Sequence, residues 1–172
     1  MRLSKYLKED VMPENYMTAY FEERTNRHIR IVQNNLDVLS KSNKDISSEL
    51  KERSALHDQS KFSNEEYVPY IFMTWKRKLE KEGKSFEYPK DIEERVGEAI
   101  KHHISVNKHH PEAHNNPNDM NVVDVAEMVA DWHAMSIEFG GNTKDWADKS
   151  IVKYGFDDNH KELIYNFIED LI

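Results

Sequence analysis

The stretch Asn15 to Ser40, NYMTAYFEERTNRHIRIVQNNLDVLS, decides the fold class. Phe21, His28, Val32, Asn35 and Leu39 follow one another at three, four or seven residues, the spacing that gathers side chains on one face of an α-helix. Helical spacing continues outward from this segment. A second helix begins after Asp45, a residue suited to an N-cap, and carries Leu50, Ser54, His57 and Lys61 along one side. Ser63-Asn64-Glu65-Glu66 reads as a capping box opening a third helix through Tyr70, Met73 and Trp75. Pro69 is expected to kink that helix, and Gly83 to stop it. Pro89 suits the first turn of a fourth helix, whose apolar face is Ile92, Val96, Ile100 and His103, continuing to Asn107. His109 to Met120, with Pro111 and Pro117, is a loop. A fifth helix, about Asn121 to Phe139, ends at Gly140-Gly141. Thr143 caps a sixth that stops near Gly155, and Asp157 or Asp158 opens a seventh. No period-two alternation argues for a strand. The expectation is an all-α chain, a single compact helical bundle of about seven helices spanning 1–172. Its core covers about 16–140, with C-terminal helices over 143–172.

At 172 residues the chain suits one domain with a real core. A charged fraction of 33% is high, but three Trp, eight Tyr and seven Phe argue against disorder. No apolar run is long enough to span a membrane. Met1-Arg2-Leu3-Ser4-Lys5-Tyr6 has no apolar signal-peptide core, so a cytoplasmic protein is expected. The absence of cysteine excludes disulfides and thiolate ligands, leaving His, Asp and Glu for any metal. A formal charge of −8 disfavours a long nucleic acid as partner, because binding one requires several cations to displace counterions. It permits a small phosphorylated substrate. Leu163, Ile164, Phe167, Ile168 and Leu171 of the last helix either pack inward or form a seam between two copies.

Nine histidines are many for this length, and their positions matter more than their number. His57-Asp58 are adjacent at a helix end. Neighbouring helical residues point about 100° apart, so the two converge on one ion only where the helix end allows it. His28 and His103 lie on apolar helix faces, and His109-His110 follow on a loop. Asp131 sits within Val129-Ala130-Asp131-Trp132, where a buried carboxylate without a partner would be costly. Asp124 is expected on a solvated face, and His102 in solvent. His114, His133 and His160 are assigned to the surface or to structural hydrogen bonds. Glu127 either steers an imidazole N–H or acts as a base. There is no phosphate-binding glycine loop, nucleophile elbow or His-Glu-x-x-His. Trp75-Lys76-Arg77-Lys78 is a short basic patch that reads as a solvated face.

His28, His57-Asp58 and a distant Asp131 on successive helices resemble the HD-domain superfamily of metal-dependent phosphohydrolases. His57-Asp58-Gln59-Ser60-Lys61 is similar to the His-Asp, any residue, small residue, Lys signature of its bimetallic members. His103-x-x-x-Asn107-x-His109-His110 followed by Glu127-Met128-x-x-Asp131-Trp132 is similar to a small uncharacterised family of phages and bacteria. The likeness covers about Phe21 to Ala134. It departs from cyclic-dinucleotide phosphodiesterases in lacking their glycine-rich signature, so that substrate is not expected.

The resemblance implies one or two divalent ions. One would take His28, His57, Asp58 and Asp131; a second would share Asp58 and add His103 with His109 or His110. Nitrogen-rich donors suit Mn, Fe, Co, Ni or Zn better than Mg. Such ions would turn water into a hydroxide nucleophile, with Asp58 and Lys61 at the reaction centre. Lys61 would meet a phosphate oxygen, and Asn107 would bind substrate or cap its helix. The leading expectation is hydrolysis of a small phosphate ester, such as a nucleotide. A di-iron oxygenase of HD-like type carries the same motif, and a metal-stabilised binding module without activity is the third reading.

Overall fold

The computed structural model describes residues 12–172, so the N-terminal Met1–Tyr6 read above for a leader lies outside the described residues. Seven α-helices follow one another, with no strand among the described residues: α1 (Asn15–Ser42), α2 (Ser47–Leu56), α3 (Tyr67–Lys81), α4 (Ile92–Val106), α5 (Val122–Phe139), α6 (Thr143–Tyr154) and α7 (Asp158–Leu171). Among them, none is long and apolar enough to cross a membrane.

Two apolar clusters hold the helices together. One joins Val32, Leu36 and Leu39 of α1 to Leu50 of α2, most of α5, and the inner faces of α6 and α7. The C-terminal helices therefore share a core with the N-terminal one. Ile164, Phe167 and Ile168 of α7 are buried in it, so that face packs inward. The other cluster joins Met17 and Phe21 of α1 to α3 and α4. α5 is the central element: every residue from Val123 to Ala130 is buried, as expected of a helix surrounded by others. His28 falls on α1 between the residues that enter the two clusters.

Most helix ends follow their capping chemistry. Asn121 accepts from the backbone of Val123 and Asp124, and Asp124 reciprocates to form a capping box. Asp157 caps α7 through the His160 N–H. Gly140 and Gly155 end α5 and α6 in the left-handed conformation that glycine adopts without strain. Five expectations fail. No side chain caps α2, which follows a 3-10 turn at Lys44–Ile46, so Asp45 is not its N-cap. The Ser63–Glu66 capping box does not form, because the Glu66 carboxylate is turned toward two histidines. Pro69 lies within the first turn of α3, where a missing N–H has no intrahelical partner to lose, so the predicted kink has no cause. α4 starts at Ile92 rather than at Pro89. Asn142, not Thr143, caps α6, leaving the Thr143 hydroxyl to His133 and Ser136.

Candidate metal centre

The decisive local feature is the end of α2. The helix stops at Leu56; His57 is extended (φ −50°, ψ 123°), and Asp58 adopts the left-handed region (φ 57°, ψ 13°). A non-glycine residue held there costs on the order of 1–3 kcal/mol, and aspartate is among those that tolerate it best. This break lets two adjacent side chains converge, which a continuous helix forbids. It also corrects the expected alignment of His57 and Lys61 along one helix face: Lys61 lies on a separate 3-10 turn, Gln59–Phe62.

Around Asp58 the structure gathers all seven histidines and aspartates singled out from the sequence. Asp58 Oδ2 lies 3.8 Å from His28 Nε2 and 3.7 Å from His57 Nε2. Asp131 Oδ1 completes that side, 2.9 Å from His28 Nε2 and 3.9 Å from His57 Nε2. The other oxygen, Oδ1, faces away from this group, 3.3 Å from His103 Nε2 and 3.9 Å from His109 Nε2. His110 joins that second side. One carboxylate thus stands between two donor groups, each compact enough to hold a cation.

The donor chemistry fits divalent ions. His57 Nε2, Asp58 Oδ1 and His110 Nε2 are buried without a hydrogen-bond partner. Each such atom costs about 1–3 kcal/mol, and cations on the two sides of Asp58 would between them satisfy all three. Burial, with the neighbouring His109 and His103, pushes His110 down to about 3, so it is neutral and able to donate a lone pair at ordinary pH. Burial alone would raise Asp58 and Asp131. Lys61 and His57 nevertheless hold Asp58 well below the usual carboxylate range, and His28 does the same for Asp131. Both are carboxylates ready to ligate.

Behind the imidazoles stands a set of orienting groups. Glu127 Oε1 lies 2.9 Å from His57 Nδ1 and 3.2 Å from His109 Nδ1. Its Oε2 accepts from Arg53 Nη1 at 2.9 Å, and the same guanidinium binds Asp124. His57, His109 and Glu127 are close enough to suggest a third cation group. The adjoining Arg53 charge disfavours that use; Glu127 instead hydrogen-bonds the His57 ring, leaving its Nε2 free, and stands in contact with His109. Burial opposes its charge, but the neighbouring His109 and His57 imidazoles bring Glu127 down to about 2. Asp124, expected in solvent, is buried, because Arg53 and the capping box both claim it. His102 is also not simply solvated: its Nδ1 lies 2.7 Å from Glu66 Oε1.

Lys61 pairs directly with Asp58 Oδ2 and lines a cleft of about 730 Å3 that opens onto the cluster. Tyr70 lies in the same wall, its ring 5.8 Å from Lys61 Nζ. Asn107 donates to the His103 carbonyl at 2.7 Å and to Ser60 Oγ at 2.9 Å, an arrangement that caps the end of α4. His114, His133 and His160 stay outside the cluster, hydrogen-bonded to the Lys108 carbonyl, to Thr143, and to Asp157 with the Met120 carbonyl. Sequence reasoning missed Arg53, Ser60 and Glu66. Glu66 was hidden by its apparent place in a capping box, and Arg53 had no local signal.

Residues 17–170 match a family described as of unknown function, DUF5662, and the chain belongs to it. No curated protein and no solved structure matches the chain.

Proposed function

We propose that this member of DUF5662 is a metal-dependent phosphohydrolase acting on a small phosphate ester of about nucleotide size. The observation that carries this reading is the Asp58 carboxylate, with one oxygen directed to each of two imidazole groups at the floor of a cleft. The His-Asp-x-Ser-Lys likeness to bimetallic HD-domain phosphohydrolases supports it. His28, His57, Asp58 and Asp131 would hold one ion, and Asp58, His103, His109 and His110 the other. Manganese, iron, cobalt, nickel or zinc suits this nitrogen-rich set better than magnesium. Ions bound there would supply a hydroxide nucleophile near neutral pH and offset charge developing on phosphorus.

The chain's own groups bind and orient. Lys61 presents its ammonium at the boundary between Asp58 and the cleft, positioned to donate to a phosphate oxygen. Burial and the Glu66 and Asp58 carboxylates push the Tyr70 phenol up, so it remains a neutral O–H donor across the working pH range. Glu127 fixes the ring of His57 and stands against that of His109. The cleft volume exceeds what a bare phosphate fills and lies within the range typical of small-molecule sites. Trp132 and Trp146 offer aromatic surface to the rest of the ester, and Arg77 and Lys149 offer positive charge.

The test is turnover by manganese-loaded protein under anaerobic conditions, against an aryl phosphate and a panel of nucleotides. Phosphate release that disappears in Lys61→Ala, with metal content retained, is the expected result. Failure to release phosphate from any member of the panel would overturn the assignment. Turnover requiring oxygen and iron would transfer it to the oxygenase class.

A further inference from the structure

Two buried glutamates stand behind the cluster, and they serve it differently. Glu127 touches an imidazole from each donor group, His57 on one side and His109 on the other, and is neutralised by Arg53. Glu66, at 0% exposure, touches only one. Its Oε2 lies 2.9 Å from His103 Nδ1, and Oε1 lies 2.7 Å from His102 Nδ1, a ring outside the cluster. Ser60 Oγ lies 3.1 Å from the same His103 Nδ1 and is itself held by Asn107 at 2.9 Å. No lysine or arginine among the described residues pairs with Glu66.

A carboxylate is only an acceptor, so His103 Nδ1 must carry the proton, and its Nε2 lone pair is thereby aimed at Asp58 Oδ1. A fully buried anion without a lysine or arginine partner is costly. A cation on the far side of His103 would offset that cost through the imidazole, while Glu66 in turn makes the ring a stronger donor. The two effects are one reciprocal coupling, and Glu66 has no contact with His28, His57 or Asp131, which share with it only the bridging Asp58.

We infer that Glu66 is a positioning residue for the Asp58–His103–His109–His110 ion alone, whereas Glu127 supports both ions, so that the two halves of the centre are tuned separately. This rests on the metal-centre reading above. It adds that the sites differ in what holds them, and that one can be emptied without the other.

The experiment compares manganese stoichiometry and electron paramagnetic resonance of the full-length protein with those of Glu66→Gln and Glu127→Gln. The unaltered protein is expected to take up two ions and to show a spin-coupled pair. Glu66→Gln should bind one of the two about 10- to 100-fold more weakly, turning the coupled spectrum into that of an isolated ion. Glu127→Gln should weaken both. A purely structural glutamate would lower the melting temperature of the metal-free protein without separating the ions. Should Glu66→Gln fail to fold, Ser60→Ala removes a second contact to the same imidazole nitrogen and is expected to weaken the same ion to a smaller extent. Two ions bound with unchanged affinity and coupling, or equal weakening of both in the Glu66 or Ser60 variant, would overturn the inference. An unaltered protein that binds no ion would instead overturn the metal centre itself, and this assignment with it.

Discussion

Along α1 the same buried face meets two unlike surroundings. Val32, Leu36 and Leu39 enter an apolar cluster with α5, α6 and α7, and the polar Asn35 between them is satisfied by the Ala130 carbonyl. One to three turns earlier, His28 faces Asp58, His57 and Asp131, part of a cluster in which His57 Nε2, Asp58 Oδ1 and His110 Nε2 are buried without a partner. The first region is complete as it stands, stabilised by removing apolar area from water. The second leaves buried donors that a cation would satisfy. Substitutions in the two regions should therefore respond differently to metal, and that difference is measurable.

The largest effect belongs to Asp58, the one residue common to both donor groups. Asp58→Ala is expected to lose all bound metal and all turnover. Asp58→Asn, which keeps a side chain tolerant of the left-handed backbone, should fold and yet bind metal no better. Atomic absorption on the purified variants checks this, and stoichiometric metal in either would contradict the bridging role. Lys61→Ala should retain both ions and lose turnover by about 10²- to 10³-fold, the range for removing one preorganised donor. Metal content measured beside the rate separates it from Asp58.

Leu36→Ala, in the apolar region, should cost about 2–5 kcal/mol of stability. The same loss is expected in denaturant titrations with and without metal, because the cavity lies among hydrocarbon neighbours. A metal-dependent penalty would show that the two regions are not separate.

The smallest effect is on acid stability of the metal-free protein. His110 sits at about 3 against an ordinary 6.5, so the unfolded chain takes up the proton first; stability falls as pH drops below 6.5 and continues falling toward about 3. Glu127, held at about 2 against 4.5, contributes stability that is full above 4.5 and lost as pH falls through about 2. Thermal melts of chelator-treated protein should decline between 6.5 and 4.5, and His110→Ala should decline less steeply over that window. Parallel slopes would remove His110 from the explanation.

The contrast between the regions also explains what could be read without coordinates. Apolar spacing gives α1, α4, α5 and α7 closely, because burial repeats with the helical period, and Gly140 and Gly155 end their helices through local chemistry. His28, His57, Asp58, His103 and Asp131 stood out because each occupies a place that an ordinary bundle fills with an apolar side chain, or carries the paired His-Asp motif. That His57-Asp58 fall at a helix end was legible; the left-handed backbone of Asp58 was not, since no local pattern marks it. Arg53, Glu66 and Asp124 were misplaced or missed for the same reason. Glu66 meets His103 across 37 residues and Arg53 meets Glu127 across 74, separations at which no periodicity operates. Glu66 also fits a capping pattern, and a plausible short-range role concealed a long-range one.

The central claim is that one carboxylate joins two cation sites. Anomalous diffraction from manganese-loaded crystals addresses it directly: two peaks are predicted, flanking Asp58, one among His28, His57 and Asp131 and the other among His103, His109 and His110. Crystals with bound manganese but no density beside Asp58, or with the ion between Glu127 and its two histidines, would contradict it.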